Sequence, residues 1–223
     1  INNPSLVFVH GVFTDISGYE ELINVLAEKY RVYAFDLPGH GKSSKLTSKT
    51  NLSTLLEDFI LKLEIKNPTI IGHSVGAIFA AKYAATNKNI KELILLNPAG
   101  IKSYSELKIL FKLFKATYFK SKSAIKNEPI SKLEKLITTK NIARDILNIQ
   151  FWKQFFKLNR TNQSKDLKKI ECKTKILWGK FDSIYPETYL DKYKKNLKNI
   201  EVHFINGGHS WPKRKPNLIT KHL

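Results

Sequence analysis

The chain is poor in several residue types, and each shortage excludes something. It has no methionine, so the initiator is missing and the native start is expected upstream. It has one cysteine, Cys172, which rules out an internal disulfide framework and a cysteine-built metal site. Arginine occurs only at positions 31, 144, 160 and 214, although the formal charge is +19. Readers of nucleic acid rely on arginine forks for guanine and phosphate, so this lysine-dominated charge reads as a solvated surface and no nucleic-acid partner is expected. No run approaches 18 consecutive apolar residues, which excludes a membrane-spanning helix. The opening INNPSLVFVHG has no basic segment followed by a long apolar one, so no secretory leader is expected. With a single thiol, the expected setting is cytoplasmic.

What is present suffices for a globular core: 223 residues, 42% of them hydrophobic. The first hundred residues alternate short apolar runs with helical periodicity. SLVFV (5–9), RVYAFDLPG (31–39, breaking at Asp-Leu-Pro-Gly), TII (69–71) and ELILLNPAG (92–100, stopped by Asn-Pro) read as buried strands. Between them, Tyr19, Leu22, Ile23 and Leu26 recur at helical spacing, as do Leu52, Leu55, Leu56, Phe59 and Leu63, and a further helix is expected over 75–86. The rhythm stops after Gly100 and resumes with TKILWG (174–179), a helix over 186–197, and IEVHFI (200–205). The expected fold is α/β, a mostly parallel sheet sandwiched by helices.

The interruption has its own composition. Residues 101–170 hold 17 Lys and Arg against 5 Asp and Glu, a surplus of 12 out of the total 19. Helices are expected at 104–119, 131–147 and 149–158. The expected division is a core of 1–100 and 169–223 with a helical insertion over 101–168. Leu107, Leu110, Phe111, Phe114 and Tyr118 form an apolar stripe on a basic helix. Such a stripe packs on a core, or lies on an anionic membrane surface.

One stretch carries the chemistry: TIIGHSVGAIFAAKYAA, residues 69–85. A strand enters Gly72-His73-Ser74-Val75-Gly76 and a small-residue helix leaves it. This is the setting for a serine held in a tight turn with its hydroxyl exposed, and Gly72 and Gly76 suit the close approach of strand and helix. A serine hydroxyl needs a base, and the base needs an orienting acid. Asp182 follows the strand at 174–179, and His209 follows the strand at 200–205 on a Gly-Gly loop. All three are expected at the carboxyl ends of parallel strands, where open α/β sheets build sites. Amide donors for an oxyanion are expected from Val75 and from the loop His10-Gly11-Val12-Phe13, with Val12 ahead of Phe13. Asp36 and His40 are expected to organise a turn near the site. Asn97, after the strand at 92–96, cannot carry the charge an orienting acid needs. No metal-ligand spacing and no dinucleotide-binding glycine pattern is present, so neither metal nor cofactor is expected.

Taken together, VHGVF (9–13), DLPGHGKSS (36–44), GHSVG (72–76), GKFD (179–182) and GGH (207–209) resemble the α/β-hydrolase fold superfamily, in particular its cap-bearing, esterase-like serine hydrolases. The resemblance covers nearly the whole chain. It implies a Ser74–His209–Asp182 triad, an acyl-enzyme route, a lid built from 101–168, and a His10 that braces the oxyanion loop. One departure is expected: many members have an antiparallel strand pair before the His-Gly strand, and this chain starts too late to contain it. Serine at the nucleophile position argues against the epoxide hydrolases and dehalogenases of this fold. The expected substrate is a small apolar carboxylic ester, with Phe13, His73, Phe111, Phe114 and Trp152 as candidate pocket residues. A carbon–carbon bond hydrolase, lactonase, thioesterase or acyltransferase could use the same triad, and a ligand-sensing receptor could retain it.

Overall fold

The computed structural model describes residues 3–47, 51–100, 144, 147–160 and 163–223. Six strands form one sheet: β1 (Ser5–Val9), β2 (Arg31–Phe35), β3 (Thr69–His73), β4 (Glu92–Leu96), β5 (Lys173–Gly179) and β6 (Ile200–Ile205). The order is β2-β1-β3-β4-β5-β6, and every neighbouring pair is parallel. The chain steps outward from β1 to β2, then returns to build β3 to β6 on the other side. The switch point therefore lies between β1 and β3, and the carboxyl ends of those strands flank a crevice.

Both faces of the sheet are covered, which explains the unbroken apolar strands. Side chains alternate across them. Val7, Val9, Ile70, Leu93, Leu95, Ile176 and Trp178 face one core. Leu6, Phe8, Ile71, Ile94, Leu96 and Leu177 face the other. The first core is closed by α2 (Leu55–Lys62), α3 (Gly76–Thr86), α4 (Ile149–Arg160) and α6 (Leu190–Asn196), with the short α5 (Gln163–Leu167) beside them. The second is closed by α1 (Glu20–Ala27), α7 (Trp211–Arg214) and the terminal 3-10 segment Pro216–His222.

The strands fall where the apolar runs place them; two helical expectations change. The stripe around α2 is Leu52, Leu56 and Ile60, with Leu55 and Phe59 partly buried against the same core, while Leu63 is 46% exposed. The helix ends at Lys62 and Glu64 takes a left-handed φ of 52°, so the chain turns before Leu63 can reach the core. The segment 186–197 is a 3-10 turn, Glu187–Tyr189, followed by α6. Pro186 precedes that turn with an extended backbone, and the α-helix begins only after it.

Of the inserted segment, residues 101–143 lie outside the described residues, and with them the helices expected at 104–119 and over most of 131–147. The helix expected at 149–158 is present as α4. Phe151, Trp152, Phe155 and Phe156 are buried and belong to the same core cluster as the strands. Asn148 Nδ2 donates to Pro38 O at 3.1 Å, and Gln154 Oε1 accepts from Leu52 N–H at 3.1 Å. Arg144 pairs with Asp15 at 3.5 Å. These contacts fasten this part of the insertion to the loops after β1 and β2. Among the described residues, no helix is long and apolar enough to cross a membrane.

Candidate active site

Ser74 follows β3 directly and adopts φ 53°, a left-handed conformation that a residue with a Cβ rarely accepts. The surrounding structure imposes it. Ser74 N–H donates to Leu96 O at 3.0 Å, and its carbonyl accepts from Ala77 N–H at 3.1 Å and Ala99 N–H at 3.0 Å. The turn is possible only because its neighbours are small. A Cβ on Gly72 would lie 2.6 Å from Ala77 Cα, and one on Gly76 would lie 2.1 Å from Val9 O. The two glycines thus bring β3, α3 and β1 into contact around the serine.

Two chain segments far from Ser74 in sequence complete the site. His209 Nε2 lies 2.9 Å from Ser74 Oγ, and His209 Nδ1 lies 2.8 Å from Asp182 Oδ2. The second contact sets the tautomer. Nδ1–H donates to the carboxylate, which leaves Nε2 free to accept from the serine hydroxyl. The other oxygen of Asp182, Oδ1, accepts from Ile184 N–H at 2.8 Å and Tyr185 N–H at 2.9 Å. The carboxylate is therefore held from both sides, with its side chain 1% exposed. The Tyr185 ring also lies 5.4 Å from that of His209, a neighbour with no warning in the sequence beyond its place in the turn after Asp182.

The loop after β1 approaches from the other flank. A Cβ on Gly11 would be 3.2 Å from Ser74 Cβ, so this loop passes directly beside the Ser74 turn. Among the described residues, neither the Val12 nor the Val75 amide has an acceptor. Val75 stands at the start of α3, where helix amides lack intrahelical partners. Phe13 has a left-handed φ of 58° and is buried against Trp152, ring centroids 5.9 Å apart. Phe111 and Phe114 lie outside the described residues.

The expected bracing histidine is present. His10 is fully buried; its Nδ1–H donates to Gly11 O at 2.5 Å and its Nε2 accepts from Leu37 N–H at 2.8 Å. It ties the loop after β1 to the loop after β2. Burial pushes its pKa down to about 4, so the ring is neutral, as an accepting Nε2 requires. Asp36 organises the neighbouring turn by accepting from Ile16 N–H and Lys42 N–H, both at 2.8 Å.

His73 is placed differently from its reading as a pocket residue. It is 3% exposed, its Nδ1 accepts from Tyr19 Oη at 2.5 Å, and its Nε2–H donates to His209 O at 3.0 Å. Alternation along β3 turns it toward the second core and away from the crevice. Burial holds its pKa well below that of a free histidine. Among the described residues there is no group of three or more His, Cys, Asp or Glu that could hold a metal ion.

The model of the alpha/beta hydrolase fold family matches residues 4–128, more than half of the chain. The chain belongs to that family. As an alpha/beta hydrolase it is similar along nearly its whole length to an uncharacterized hydrolase of Bacillus subtilis, YugF: 24% identical, covering 98% of this chain and 88% of that protein. It is 22% identical to the human monoacylglycerol lipase ABHD6 over 99% of this chain and 74% of that one. The esterase EaEST from Exiguobacterium antarcticum shares the fold with a TM-score of 0.81 at 20% identity, covering 100% of this chain and 91% of that one.

Proposed function

We propose that this alpha/beta hydrolase cleaves small apolar carboxylic esters through an acyl-enzyme formed on Ser74. The observation that carries the reading is the continuous hydrogen-bonded chain Ser74–His209–Asp182, at 2.9 and 2.8 Å, at the carboxyl ends of β3, β6 and β5. A structural turn serine needs neither an accepting imidazole nor a buried carboxylate behind it.

In this reading His209 Nε2 takes the Ser74 proton as Oγ attacks the ester carbonyl. Asp182 holds the imidazole in the right tautomer and stabilises the imidazolium that forms. The carbonyl oxygen becomes an oxyanion and accepts from the Val12 and Val75 amides. His209 returns the proton to the departing alcohol. Water then enters, loses a proton to the same nitrogen, and releases the acid with Ser74 restored. The aromatic group Phe13, Phe151, Trp152 and Phe155, packed beside the oxyanion loop, supports an apolar acyl or alcohol portion. The name of ABHD6, a monoacylglycerol lipase, is consistent with ester chemistry on this fold.

The test is turnover of p-nitrophenyl esters of graded chain length by the protein and by Ser74→Ala. Saturable turnover that Ser74→Ala abolishes supports the reading. Tight ligand binding without turnover would replace it with a receptor role.

A further inference from the structure

The loop carrying His209 is held by backbone bonds from Gly207 N–H to Ile205 O at 2.8 Å, Phe181 N–H to Gly207 O at 3.1 Å and Trp211 N–H to Gly208 O at 3.2 Å, and none of them reaches the His209 carbonyl. Between β6 and His209 it reads Asn206-Gly207-Gly208, and consecutive glycines leave a backbone with wide freedom. Two side chains add to these backbone bonds on either side of His209. Asn97 Nδ2 donates to Gly208 O at 3.2 Å, and His73 Nε2–H donates to His209 O at 3.0 Å. The two carbonyls preceding and following the His209 Cα are therefore both held. The donors come from the last residue of β3, adjacent to Ser74, and from the residue that follows β4.

Each donor is itself fixed. Asn97 is fully buried with φ 42°, and its Oδ1 accepts from Gly179 N–H at 2.7 Å and Trp211 Nε1–H at 3.2 Å. Its amide orientation is thus unambiguous: the oxygen faces two donors and the nitrogen faces a carbonyl. Gly179 opens the turn that carries Asp182, so one side chain joins the acid loop to the base loop. A Cβ on Gly179 would lie 2.6 Å from Gly207 O and 2.8 Å from Gly208 O, which shows how closely the two loops cross. His73 is fixed by Tyr19, whose hydroxyl occupies its other nitrogen.

We infer that His73 and Asn97 are positioning residues, a two-point clamp on the backbone of His209 that sets its imidazole between Ser74 and Asp182. This deepens the proposed hydrolase reading and rests on it. Asparagine suits the position after β4 because it accepts and donates at once. An aspartate there would keep both contacts to Oδ1 and set a carboxylate oxygen against the Gly208 carbonyl.

The experiment compares N97D, H73L, H73Q and the remote control N196A by kcat and KM for a short p-nitrophenyl ester, by melting temperature, and by the strongly deshielded Nδ1–H proton of His209. Misplacing a catalytic group by an ångström costs about 10²-fold, so N97D and H73L should lower kcat by about that factor while KM moves about 3-fold or less. Both should lose or broaden the His209 proton signal. H73Q, whose amide can replace the Nε2–H donor, should recover at least about tenfold of the H73L loss in kcat, and N196A should match the parent. Wild-type kcat and an intact proton signal in folded N97D and H73L would overturn the clamp. Should N97D fail to fold, the H73L and H73Q pair carries the same comparison. If the parent protein turns over no ester, the hydrolase reading fails separately. The proton signal still decides the clamp, its loss in the variants supporting it and its persistence overturning it.

Discussion

A methyl group on Gly76 would fall 2.1 Å from the carbonyl oxygen of Val9. The neighbouring atom is backbone in a strand paired on both sides, so it has no room to yield. Gly76→Ala should therefore cost at least about 3 kcal/mol of stability, more than a surface substitution by far. Chemical denaturation checks this; an unchanged midpoint would mean that α3 does not approach β1 as described.

The φ of 53° at Ser74 is a strain that glycine does not feel. Ser74→Ala and Ser74→Gly should both lose ester turnover. They should differ in stability, with the glycine variant the more stable by about 1 kcal/mol, the scale of a left-handed residue's penalty. Melting curves of the two variants give the comparison. A less stable Ser74→Gly would remove the argument for a strained turn.

His10 gives a signed pH dependence. Burial lowers its pKa from 6.5 to about 4, so between those values the unfolded chain binds more protons than the folded one. Stability is complete above about pH 6.5 and falls as pH drops toward 4, by about 3 kcal/mol for a shift of this size. His73, lowered for the same reason, acts in the same direction. Denaturant midpoints at pH 7 and pH 5 should separate more for the parent protein than for His10→Gln. Equal separation would contradict a buried neutral His10.

Trp152 is 6% exposed and touches Phe13, Phe151, Phe155 and Phe156. Trp152→Ala should destabilise the protein by about 3 to 5 kcal/mol. Because the Phe13 contact places Trp152 beside the loop after β1, which the proposal assigns to the oxyanion, surviving activity should show a raised KM for apolar esters with kcat less affected. Steady-state kinetics over a chain-length series measures this. An unchanged KM throughout would remove Trp152 from the pocket.

How much of this was legible beforehand varied with the physics involved. The strands were readable because a doubly covered sheet demands unbroken apolar runs, and Ser5–Val9 and Ile200–Ile205 begin and end where those runs do. Ser74, Asp182 and His209 were readable because each sits where a strand meets a break in the pattern. The role of Asn97 was not. Its sequence position showed only that it lacks an acid's charge, whereas its four hydrogen bonds, to Leu177, Gly179, Gly208 and Trp211, come from segments up to 114 residues away. His73 was legible only as a flank of the serine, which could line the pocket or merely pack. Its neighbour Ser74 points into the crevice, and strand alternation sends His73 to the opposite face. Leu63 followed helical periodicity past the point where the helix stops, a boundary set by the left-handed Glu64.

The most direct test of the central claim is covalent. A fluorophosphonate reports on a serine activated by a neighbouring base. Incubation followed by peptide mass spectrometry should show one adduct, on the peptide containing Ser74, absent in Ser74→Ala and formed far more slowly in His209→Ala, with ester turnover lost in step. An unmodified Ser74, or ester turnover that survives Ser74→Ala, would contradict the account.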